Sequence, residues 1–228
     1  VVTTAVEHNS VLRPLKTLEK NGRIRLSVAG CDSSGRVSPK ALRQALEPHT
    51  RLVVVNHASN VTGAVLDLAA LSKESKQNGA LFAVDASQSA GTTRIDVDAM
   101  GIDALAFTGH KSLFATRGVG GLYLRKGLDV KPLKIGGTGI RSDSLFQPET
   151  RPIQYEAGTP NTVGIAAMNA GLDFINHTGM ATINKRKHDV FDHLLKGLAG
   201  IPKIILHGGG GTTNRLPVLS FNVPGMDP

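Results

Sequence analysis

The chain has 228 residues, 40% of them hydrophobic and 19% charged, with 26 lysines and arginines against 18 aspartates and glutamates for a net charge of +8. That balance excludes a disordered charged tail and fits a globular protein with one sizeable core, or one domain and part of another. Apolar runs such as Leu52–Val55 and Ala104–Phe107 fall far short of the roughly 20 residues that cross a bilayer, so the chain reads as soluble, without a membrane partner.

In chain order, Val1–Thr4 reads as a strand, Val11, Leu12, Leu15 and Leu18 mark a helix face, and Ile24–Val28 alternates as a second strand. Cys31 follows in a turn-like link, Ala29–Gly35. As the sole cysteine it leaves no internal disulfide, and a reducing, cytoplasmic setting is expected. Ser38-Pro39 opens a helix with a capping side chain and a first-turn proline, turning Leu42 and Leu46 inward. Leu52–Val55 is a buried strand. The next helix runs from Leu66 to Gln77 and closes at Asn78-Gly79; strands follow at Leu81–Val84 and Ala104–Thr108, with a hairpin-like strand at Gly121–Leu124.

Helical patterns then extend from Asn161 to about His177 and from Met180 to about Leu198, and a second domain is expected to start near Ile204. The glycine run Gly208–Gly211 reads as a surface loop and Leu216–Val223 as a strand. The first residue is not methionine and the sequence stops five residues after a strand that begins something new, so the chain reads as an internal fragment of a longer protein. A pI near 9.8 raises nucleic acid as a partner, but Trp is absent and the basic run Lys185–His188 has no interleaved stacking residues. It reads as a solvated helix face, and nucleic acid is not expected. The scattered histidines, with His188 and His193 off a common helical face, give no metal site.

Apolar strands alternating with helices predict an α/β fold, a mostly parallel sheet covered by helices on both sides, with ligands at the carboxyl ends of the strands. The polar segments at those ends are Asn56–Asn60, Asp85–Gln88 and Thr108–Lys111. Asp85 ends an apolar strand and needs a cationic partner or hydrogen bonds to stay charged. Lys111 follows the next strand, where a lysine loses its proton more easily and attacks a carbonyl to form an imine. An imine-forming lysine paired with an acid that protonates a pyridine nitrogen is what pyridoxal phosphate requires. Taken singly, Asp85 is also compatible with loop capping, Lys111 with a surface charge, His8 with a helix cap, Asn60–Gly63 with a turn, and Gln88 with solvent exposure.

The segments Thr4–Ser10, Ser59–Gly63, Val84–Gln88, Thr108–Lys111 and Tyr155–Asn161, in that order, resemble the class V aminotransferase fold family, most closely its cysteine desulfurase and selenocysteine lyase branch. The resemblance implies the large domain of a PLP-dependent transferase, aspartate aminotransferase-like, over residues 1–158 without its N-terminal part. Connecting helices would span 159–200, and a small α+β domain would begin over 201–228. It implies pyridoxal 5'-phosphate held as a Schiff base on Lys111, with Asp85 on the pyridine nitrogen and Gln88 and Asn60 near the phenolic oxygen. His8 matches the histidine that stacks on the cofactor face and moves protons. Thr108 and His110 match phosphate contacts, and Thr138, within Gly136–Gly139, matches the segment that reaches the phosphate from the other subunit of a homodimer.

The implied reaction cleaves the carbon–sulfur or carbon–selenium bond of cysteine or selenocysteine, giving alanine and enzyme-bound sulfur for an acceptor protein. Transamination or epimerisation of an amino acid would use the same Lys111 and Asp85, and a noncatalytic domain keeping the fold is the reading outside enzymes. The family's persulfide-forming thiol and substrate-binding arginine lie toward the C-terminus, beyond this chain. Cys31 therefore reads as structural or incidental, and the chain as carrying the cofactor machinery without the complete substrate site.

Overall fold

Three short buried residues, Val2–Thr4, form strand β1, and helix α1 (Asn9–Lys20) follows after His8 caps it by accepting the Ser10 N–H. The computed structural model describes residues 1–208 and 214–227. Strand β2 (Ser27–Ala29) pairs with β1 in the register Val2↔Ser27 and Thr4↔Ala29. It begins later than the alternation from Ile24 suggested; ahead of it the Arg25 carbonyl accepts from the Val1 amine at 2.8 Å, outside the ladder. Helix α2 (Pro39–Ala45) has the expected Ser38 cap, which accepts from the Ala41 N–H, and Pro39 in its first turn.

Strand β3 (Leu52–Asn56) leads to helix α3 (Leu68–Gln77), capped by Asp67 rather than starting at Leu66. Leu66 is buried, but its N–H bonds to the His57 carbonyl in an extended segment, so its apolar character belongs to that bridge and not to the helix. Strands β4 (Leu81–Asp85), β5 (Ala104–Thr108) and β6 (Gly120–Leu124) complete a sheet of order β2-β1-β3-β4-β5-β6, parallel except for β6, which pairs antiparallel to β5 as the hairpin-like reading expected.

Register carries the core. Val53 faces Phe82 and Val55 faces Val84, which in turn faces Leu105; all are buried on one side of the sheet with Leu42 of α2 and Leu71 of α3. Cover is uneven, since on the other side Ala106 and Leu122 are exposed. At the amino ends of the strands, the buried carboxylate of Asp103 accepts from Lys76 of α3, from Arg125 Nε at 2.7 Å and from the Phe82 N–H at 2.8 Å, tying helix and sheet together.

Helices α4 (Thr162–Thr178), capped by Asn161, and α5 (Met180–Ala199) meet at Gly179. Ile175 and Ile183 pack with Leu113 in a second cluster, against Phe107 and Ala90. Of the basic run on α5, Lys185 and Arg186 are exposed as its composition suggested, but Lys187 and His188 are half-buried. Lys187 Nζ donates to Ser112 Oγ at 3.1 Å and lies 5.6 Å over the Phe114 ring, and burial pushes its pKa down. The His188 ring bonds the Asn184 and Arg215 carbonyls, and Lys185 alone of the pairs formed there is an exposed one, with Asp189.

Strands β7 (Ile205–His207) and β8 (Ser220–Asn222) form a separate antiparallel pair. The ladder is shorter than Leu216–Val223, because the Leu216 N–H bonds to Gly63 and Pro217 has no N–H to give. Gly209–Gly211 lie outside the described residues. Among the described residues no helix is long and apolar enough to cross a membrane.

Gly171 on α4 sits where a Cβ would fall 2.0 Å from the Leu113 carbonyl oxygen. Gly171→Ala must therefore push α4 away from the loop after β5, and the cost expected in urea denaturation is about 1–3 kcal/mol.

Candidate active site

The carboxyl ends of β1, β3, β4 and β5 lie together at one edge of the sheet, and the polar residues that follow each strand enclose a cavity of about 360 Å³. That volume falls at the lower end of the roughly 300–1,000 Å³ typical of small-molecule sites. His8 from β1, Asn60 from β3, Asp85 and Gln88 from β4, and Thr108, His110 and Lys111 from β5 all line it. Every sequence-predicted site residue except Thr138 is brought there. Ser10, Asn56 and Ser87 line it too, without having been given a role from sequence.

Each side chain is positioned by local structure. Asp85 ends β4, its backbone carbonyl accepts the His57 N–H at 2.9 Å, and its Oδ1 accepts the Ser87 N–H at 2.9 Å, which closes the turn leading to Gln88. Buried Ser59 accepts from the Val61 and Thr62 N–H groups, each at 3.2 Å, and so fixes the loop that presents Asn60. Thr108 Oγ1 and His110 Nδ1 lie 2.7 Å apart, so the hydroxyl and the imidazole form one hydrogen-bonded unit. Between them Gly109 is needed for close approach: a Cβ there would lie 2.9 Å from both the Ala115 and Val119 side chains. Lys111, exposed, follows on this tightly held turn.

His8 joins two readings that the sequence left open. Its Nδ1 accepts the Ser10 N–H at 3.1 Å and caps α1, while the residue also lines the cavity. Because Nδ1 is an acceptor, the neutral ring carries its proton on Nε2.

Behind the cavity are buried titratable groups that were given no role from sequence. Glu7 is 9% exposed; its Oε1 accepts from Thr4 Oγ1 and from the Asn56 N–H. Burial, offset by these hydrogen bonds and reinforced by the charge of Asp85, raises its pKa from 4.5 to about 7. His57, with Nδ1 2.8 Å from Ser89 Oγ, is pushed by burial from 6.5 down to about 4. Glu7 was inside a recognised segment, yet its burial depends on Asn56, far away in sequence.

Thr138 lies apart, on the exposed segment that follows β6, where its Oγ1 donates to the Ile140 carbonyl at 3.1 Å. Cys31 is exposed and lines a different cavity, with Arg36 and Asp67, so it is not among the groups that enclose Lys111.

A family model described as Aminotransferase class-V matches residues 1–228, and the chain belongs to the class-V aminotransferase family. A probable cysteine desulfurase of Methanothermobacter thermautotrophicus is 34% identical over 232 residues, covering 100% of this chain and 57% of the relative. Among solved structures, a cysteine desulfurase from Thermococcus onnurineus NA1 matches with a TM-score of 0.88 at 32% identity, across 100% of this chain and 57% of that one. The cysteine desulfurase CsdA of Escherichia coli matches with a TM-score of 0.89 at 24% identity, across 99% of this chain and 56% of that one, a likeness of fold. The chain spans somewhat more than half the length of the relatives it matches.

The two buried groups act on stability with opposite signs. Glu7 titrates higher in the folded chain, so its contribution is full below pH 4.5 and is lost as pH rises through about 7. His57 titrates lower, so its contribution is full above pH 6.5 and is lost as pH falls through about 4. Glu7→Gln removes the first slope and leaves the second. Relative to wild type, the variant should gain on the order of 3 kcal/mol between pH 4.5 and pH 8 in chemical denaturation, and a difference that does not change with pH would contradict this.

Proposed function

We propose that this chain is the cofactor-holding part of a pyridoxal-phosphate-dependent enzyme of the cysteine desulfurase type, which cleaves the carbon–sulfur bond of cysteine and leaves alanine. The observation that carries the reading is the meeting of Asp85 and Lys111 on one cavity from adjacent strands. The donor set fits the cofactor. An amine, a carboxyl group, an imidazole that caps a helix and a hydroxyl–imidazole pair surround one space, which matches an aldehyde, a pyridine nitrogen, an aromatic face and a phosphate.

When bound, pyridoxal phosphate supplies an electron-withdrawing ring that stabilises negative charge on the substrate's α-carbon. Lys111 Nζ would hold the aldehyde, and as a free amine would be the base that moves the proton at that carbon. The Asp85 carboxylate would pair with the ring nitrogen and favour its protonated form. His8, its Nδ1 tied to α1, offers a fixed ring plane for stacking and leaves Nε2 for proton exchange. Thr108 and His110 would bind the phosphate, and the amides of Asn60 and Gln88 would donate to the phenolic oxygen.

The same reading places Thr138 at the phosphate of a second copy. On its segment Leu133 is 98% exposed and Phe146 84% exposed in the single chain, as suits a surface that another subunit covers. The sulfur-accepting thiol is not Cys31, and the sulfur would pass on to an acceptor protein in a reducing compartment.

The test is turnover of cysteine by the whole protein with an added thiol reductant, read as alanine and as the sulfide that the reductant releases from the enzyme-bound sulfur. Wild type should release both, whereas Asp85→Asn, which keeps shape and loses charge, should bind the cofactor and turn over about 10- to 150-fold more slowly, as expected for a lost charged hydrogen bond. Formation of a keto acid in place of sulfide would favour transamination, and no cofactor uptake would favour a noncatalytic domain.

A further inference from the structure

Glu7 is buried behind the cavity, bonded to Asn56 of its lining, and no role in the proposed reaction uses it. It ties elements together: Oε1 is shared by Thr4 at the end of β1 and by the backbone of Asn56 at the end of β3, and Asn56 Nδ2 donates back to the Val6 carbonyl. The turn that carries His8 is thereby fastened to the sheet. Glu7 Oε2 and Asn56 Oδ1, both buried, have no partner among the described residues. An unpartnered buried oxygen is tolerable on a neutral acid and costly on a carboxylate.

The groups facing Glu7 favour the same state. From β4, Asp85 stands opposite Asn56 in the ladder and its charge acts on Glu7; from β3, Asn56 brings only amide groups, and neighbouring His57 is held neutral by burial; β1 brings the Thr4 hydroxyl; and His8 follows on the same turn. We propose that Glu7 is a positioning residue which, as a neutral acid, seats the His8 turn on β3 and leaves Asp85 the one negative charge facing the cofactor's ring nitrogen, and which on ionising adds a second charge behind Asp85. The inference rests on the reading of the cavity as a pyridoxal phosphate site. Titration near neutrality, at about 7, makes both states accessible in ordinary buffers. Added negative charge raises the proton affinity of nearby bases, so the bound cofactor should report it.

The experiment follows the visible absorption of bound pyridoxal phosphate, and its dissociation constant, from pH 6 to pH 8.5 in the whole protein, in Glu7→Gln and in Glu7→Ala. Wild type should show a spectral step with a midpoint at about 7. Glu7→Gln should lose that step and bind the cofactor at pH 6 within about twofold of wild type, because the amide keeps an acceptor for Thr4 and Asn56. Glu7→Ala should also lose the step and bind about tenfold or more weakly across the range, as expected for lost buried hydrogen bonds. A step of the same midpoint in Glu7→Gln, or no step in wild type, overturns the proposal while leaving the cofactor reading intact. A wild-type protein that takes up no cofactor overturns both.

Discussion

The parallel register of β3, β4 and β5 is the constraint on which the site depends. Asn56 stands opposite Asp85, and Asp85 opposite Ala106, so the strands run out side by side and their following residues open onto one space. The register is set by the buried face, where Val53, Val55, Phe82 and Val84 are each at most 3% exposed. A slip by one residue would turn that row to the opposite face and carry Asp85 into the core. Apolar packing on one side of the sheet thus decides where the acid stands, and the acid's neighbour on the next strand leads to Lys111.

Rigid support behind the strand ends does the rest. Gly109 lets the turn after β5 lie against Ala115 and Val119, and Gly171 lets α4 lie on the Leu113 carbonyl just beyond Lys111. A long exposed side chain is therefore borne on a backbone that cannot easily shift. Buried Glu7 and His57 lie in the same region, each burdened by desolvation in its charged form. Groups held away from their ordinary titration are costly to a fold, and their concentration beside a cleft is a mark of sites where chemistry is arranged.

Much of this was legible in the amino-acid order, because the parallel strands are short apolar runs and the caps Ser38 and Asn161 are plain local signals. The site residues were legible as a set, since Asp85 and Thr108 end strands and Gln88, His110 and Lys111 come just after them. The failures came where distant contacts decide. Leu66 looked helical because it is apolar, but it is buried by the bridge back to His57. Lys187 looked solvated because its neighbours are basic, but Ser112 and Phe114 draw it inward. Glu7 is buried only through Asn56, and nothing within its own segment says so.

The central claim is that Lys111, and no other amine, carries the cofactor within reach of Asp85. Reduction of the pyridoxal-phosphate-loaded whole protein with borohydride, followed by proteolysis and mass spectrometry, tests it most directly, because reduction makes the attachment permanent before the chain is cut. The account predicts a single pyridoxyl-modified peptide, with the added mass on Lys111. Modification of a different lysine, such as Lys187, or scattered labelling without preference for position 111, would contradict it.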